Sequence, residues 1–131
     1  MKKRKKSRPP APNANELADT IHLVTVLAAP NLFMKFREAL DDEVLHKAAV
    51  ESVSSLVRIA ASLDGVAVEA PVDMPRAGAL AVELEVELRA WQGRTSPSAV
   101  TVRLARELLV SLGIPEPAEG WDAFELPGGA T

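Results

Sequence analysis

A folded core in this chain has to be built almost without aromatic side chains: there is no tyrosine, aromatics make up 4% of the residues, and yet 47% of them are hydrophobic. Leu, Val and Ala must therefore supply the interior, and that mixture suits closely approaching helices better than aromatic-rich sheets. At 131 residues the chain is long enough for one domain without a covalent staple. Cysteine is absent as well, which excludes disulfides, thiolate zinc sites, iron–sulfur clusters and thiol nucleophiles, and makes the cytoplasm the expected compartment.

Helix punctuation divides the chain. Residues 16–29 read as a central helix, apolar on most sides, with Asn13 or Asn15 to cap its free amides and Pro30 to end it. Asn31 offers a cap for a short second helix over 32–40 that presents Leu32, Phe33 and Phe36 for packing. Asp41 or Asp42 offers one for the longest helix, 43–63, with an inner stripe of Leu45, Ala49, Val53, Leu56, Ala60 and Leu63. Asp64 and Gly65 stop it. Residues 66–78, with Pro71 and Pro75, read as a loop, with room for a short strand at 66–68. In the last helix Ser96 is the expected N-cap, Pro97 the first helical residue and Gly113 the stop, with Val100, Leu104, Leu108 and Leu112 inward.

Residues 80–91 satisfy two periods at once. As a strand they alternate, with Val82, Leu84, Val86 and Leu88 on one face and Glu83, Glu85, Glu87 and Arg89 on the other. As a helix they align Ala77, Leu80, Ala81, Leu84, Leu88 and Trp91. Length and Ala, Glu, Leu content favour the helix. The expected fold is mainly α, a bundle-like domain of four to five helices over residues 14–114, flanked by an arm at 1–13 and a tail at 115–131. The alternative is α+β, with one small β-hairpin around 66–91.

Charge is distributed unevenly. Lys2, Lys3, Arg4, Lys5, Lys6 and Arg8 open the chain, and from Pro9 onward nine basic residues face eighteen acidic ones. Like-charge repulsion and the prolines at 9, 10 and 12 favour a disordered arm, which gains counterion-release free energy on a polyanion. Nucleic acid is the expected anion, against the bland reading that a lysine-rich start only aids solubility or translation. The prolines and acids between the arm and the apolar stretch 21–29 do not fit a secretory signal, and that stretch, cut at Pro30 and closed at Lys35, is too short to span a bilayer.

Catalytic signatures are missing. His22 and His46 lack metal-binding spacing and read as a satisfied core histidine and a solvated one. Ser52, Ser54 and Ser55 lack the sharp Gly-flanked turn of a hydrolase nucleophile. Glu83, Glu85 and Glu87 read as a solvated face rather than cation ligands, and no cofactor motif is present. Residues 80–91 followed by 96–114, with Arg103 and Arg106 on the second segment, loosely fit a helix-turn-helix, although the acidic surroundings oppose phosphate approach. In the tail, Trp121, Phe124 and Leu126 sit among acids as either a partner-binding anchor or a fold-back over the core.

The expected function is that of a small non-enzymatic assembly or accessory protein. Its helical surface and tail would bind a protein partner or a second copy, and its arm an anionic partner. A DNA-binding transcriptional regulator is the runner-up; a hydrolase or metal enzyme has the least support.

Overall fold

The computed structural model describes residues 14–40, 42–62, 72–92 and 96–121. The described residues form five helices, α1 (Ala14–Ala28), α2 (Pro30–Ala39), α3 (Asp42–Ser62), α4 (Met74–Trp91) and α5 (Ala99–Ser111), with no strand among them. The mainly α expectation holds, and 80–91 is helix. The basic arm, Asp41 and the 66–68 segment lie outside the described residues.

Four helices close into a ring in which α1 packs on α3, α3 on α4, α4 on α5 and α5 back on α1. Side-chain pairs fix their directions. Arg58 near the end of α3 donates to Glu16 at the start of α1 (3.0 Å), and Ala60 near the end of α3 meets Gly78 near the start of α4. The Asp73 N–H, just before α4, donates to the Ser111 carbonyl at the end of α5 (2.8 Å). Neighbours therefore run antiparallel, the up-and-down arrangement of a four-helix bundle. Its interior is mostly Leu, Val and Ala, as the composition requires, with Phe33 and Trp121 as the two buried aromatics among the described residues.

Pro30 does two jobs. Its ring would clash with the carbonyl four residues back, so α1 ends; its missing N–H costs nothing in a first turn, so α2 starts on it rather than after an Asn31 cap. Ala29 is driven to φ −122°, ψ 87°, as a residue before proline must be, and the helix axis turns by 115°. That turn seats Phe33 against Trp91, ring centroids 5.4 Å apart, closing one end of the bundle.

Three other helix starts differ from expectation. α1 begins at Ala14, so Asn15 lies inside its first turn. α4 begins at Met74, because Asp73 accepts the Arg76 N–H (3.1 Å) and Pro75, read as a breaker, falls in the first turn where proline is tolerated. α5 begins at Ala99 rather than Pro97: Ser98, not Ser96, accepts the Thr101 N–H (3.1 Å), and its hydroxyl lies 3.1 Å from that of Thr101. The register this sets turns Thr101 inward and leaves Val100 at 42% exposure, outside the stripe assigned to it.

The end of α5 is as the sequence indicated. Ile114 N–H reaches Leu109 O and Gly113 N–H reaches Val110 O (both 2.9 Å), a Schellman motif with Gly113 at φ +85°. Beyond it, a hydrogen-bonded turn from Pro117 O to Gly120 N–H (2.8 Å) brings Trp121 back onto the bundle.

Candidate functional site

α4 is apolar on two opposite sides. Ala77, Leu80, Ala81, Leu84 and Leu88 are buried, and at 100° per residue the side directly opposite holds Pro75, Ala79, Val82, Val86 and Ala90, all exposed. Val82 and Val86 are 49% and 61% exposed, one turn apart, at the middle of this row. The strand-like alternation of the sequence is the sum of these two helical stripes. Sequence reasoning missed the outer one because it placed both valines only in the strand reading, and the favoured helix reading gave them no face of their own.

The flanks of this ridge differ. Toward α3, Glu85 accepts from the Ser54 hydroxyl (2.6 Å) and from Arg89 (2.7 Å) through the same carboxylate oxygen. The Ser54 hydrogen bond, with Arg89 beside it, holds this carboxyl below the ordinary glutamate value despite its partial burial. Toward α5, Glu83 is exposed and Glu87 half-buried, and neither has a hydrogen-bond or ion-pair partner among the described residues. The three glutamates are therefore split between two flanks of α4, Glu85 toward α3 and Glu83 and Glu87 toward α5, and no group of three His, Asp or Glu residues converges as a metal site among the described residues.

The other candidates divide into those used by the fold and those outside the described residues. Lys2, Lys3, Arg4, Lys5, Lys6, Arg8, Phe124 and Leu126 lie outside the described residues. Trp121 is 2% exposed and belongs to the core, the position of the fold-back reading rather than of a free anchor. Ser52 and Ser55 are buried within α3, and Ser54 is engaged by Glu85. His46 is half-buried rather than fully solvated: it lines a surface recess with Lys47, Glu51 and Arg89, and its ring stands edge-on to Trp91, centroids 5.9 Å apart. Neither His46 Nδ1 nor His22 Nε2, both buried, has a hydrogen-bond partner among the described residues.

Of the arginines assigned to a DNA-reading helix, Arg103 pairs with Glu107 one turn on (3.4 Å), whereas Arg106 Nε donates to the Ala28 carbonyl (3.0 Å). Ala28 ends α1 and is followed by the break at Pro30, so Arg106 supplies a donor to a carbonyl at a helix C-terminus. A shallow recess of about 400 Å³ lies between the start of α4, the end of α5 and Trp121. Most of its charged walls are already engaged, since Arg76 pairs with Glu107 (3.1 Å), its backbone N–H with Asp73, and Arg106 with the Ala28 carbonyl.

No single helix among the described residues is long and apolar enough to cross a bilayer; α1 and α2 reach that length only together, across their 115° bend. No family model, curated protein or solved structure matches the chain.

Proposed function

We propose that this protein is a small non-enzymatic assembly or accessory protein, binding a protein partner through its helical surface while its basic arm engages nucleic acid. The observation that carries the reading is the outer ridge of α4. Val82 and Val86 are costly to leave in water on a helix whose opposite side already builds the core, and contiguous exposed apolar surface marks interaction sites. The arm adds six cations within eight residues, ahead of a remainder with twice as many acids as bases. Two opposed charge regions on one short chain suit a protein that links an anionic partner to another protein.

Each half has its own test. Gentle purification of the tagged full chain from its source cells, followed by sedimentation, should give a defined stoichiometric complex; a lone monomer would contradict the protein-binding half. For the arm, binding to duplex DNA should weaken with salt on a log–log slope no steeper than about −5, the limit for six phosphate contacts. Deleting residues 1–13 should abolish it, and survival of the binding with its slope unchanged would remove the arm as the anion site.

A further inference from the structure

We propose that the outer face of α4 docks an amphipathic helix of the partner, one with an apolar seam flanked by Lys or Arg. This rests on the protein-binding reading above and names the partner's chemistry. Ala79, Val82, Val86 and Ala90 are spaced three, four and four residues apart, the interval at which side chains of one helix meet those of another. The row runs about 16 Å at 1.5 Å per residue, three turns of a partner helix. Its end residues are alanines, which let a second backbone come close, while the two central valines supply the contact area. A β-strand has nothing to pair with here, because the backbone N–H groups of α4 are spent within the helix.

Charge selects among helical partners. Glu83 and Glu87 line the flank toward α5 without a partner among the described residues, and the chain from Pro9 onward carries eighteen acids against nine bases. A second copy packed antiparallel through this face would set Glu83 and Glu87 against their own equivalents, a like-charge juxtaposition that disfavours the pairing. A Lys- or Arg-flanked helix places opposite charge at the same positions.

The test uses the full chain and two labelled synthetic helical peptides with the same leucine seam, one flanked by lysines and one by glutamates, read by fluorescence anisotropy at 0.15 M salt. The lysine-flanked peptide should bind saturably at one to one, at least tenfold more tightly than the other. Val82→Ser with Val86→Ser should weaken it at least tenfold while leaving the thermal midpoint in place, and Glu83→Lys with Glu87→Lys should reverse the preference. Binding that ignores the two serines would mean general attraction to an acidic surface, and overturns the proposal. So would a dimer of the unmodified chain that the serines dissociate, since the occupant would then be a second copy. A native complex that forms equally well with the serine variant also overturns this site while leaving the protein-binding reading intact; absence of any native complex removes that reading itself.

Discussion

Replacing Gly78 by alanine sets helix propensity against packing, and the structure says which wins. Alanine is better than glycine inside a helix by about 1 kcal/mol, so propensity predicts a more stable protein. A Cβ at position 78, however, would lie 2.9 Å from the Ala60 Cβ on α3. Carbon atoms in contact prefer about 3.5–4.0 Å, so the helices must separate by roughly half an ångström or more, and neither a methyl group nor a helix backbone can swing aside. The separation also strains the Ser54–Glu85 hydrogen bond further along the same interface, 2.6 Å in the native packing. Overpacking of this kind costs about 1–3 kcal/mol. The expected net is a loss of about 1 kcal/mol, a fall in thermal midpoint of about 3–5 °C for a chain of this size, measured by urea and thermal unfolding followed by circular dichroism. Ala60→Gly should cost about 1 kcal/mol through propensity. The double variant merely moves the methyl group from one helix to the other and should return close to the native stability, a coupling of about 2 kcal/mol in the double-mutant cycle. A higher midpoint for Gly78→Ala, with coupling below about 0.5 kcal/mol, would refute the close-contact argument.

Arg106→Ala should cost about 1–2 kcal/mol in urea unfolding by leaving the Ala28 carbonyl without its donor, whereas Arg103→Ala, on an exposed ion pair, should stay within about 0.5 kcal/mol. Trp121→Ala should cost about 3–5 kcal/mol, and with Trp91 replaced by Phe the fluorescence of Trp121 should be blue-shifted and protected from quenchers. Because the Glu85 carboxyl is held below its ordinary value in the folded protein, it adds stability above pH of about 4.3, and that addition is lost as pH falls through the depressed folded value. The stability gap between the native chain and Glu85→Gln should therefore narrow on acidification; a gap that widens would contradict the Ser54 and Arg89 assignment.

The parts of the fold legible in advance were those decided by local chemistry. Gly113 ended α5 because only a residue at ease with positive φ closes that motif, and the Leu, Val and Ala supply pointed to helices. What escaped was decided by tertiary choice between local equivalents. Ser96 and Ser98 are both competent caps, and the buried Thr101 selects the second. Pro75 breaks a helix in its middle but not in its first turn, and only the Asp73 cap distinguishes these. Arg106 on a helix face looks solvent-directed until α1 brings a terminal carbonyl beside it. The candidate site was hidden by success elsewhere, since the valines that made 80–91 resemble a strand are the ones that make α4 two-faced.

If a partner helix covers the outer face of α4 in the working protein, a reporter placed on that face separates the bound from the free state. Because the chain has no cysteine, a single one introduced as Val86→Cys reports on that face without background. Ala18→Cys on the exposed side of α1 serves as the control. Maleimide labelling of the native complex, compared with the isolated chain, should slow at least tenfold at position 86 and stay unchanged at position 18. Equal labelling of position 86 in both states would show that the ridge stays in water, and would contradict the docking of a partner there.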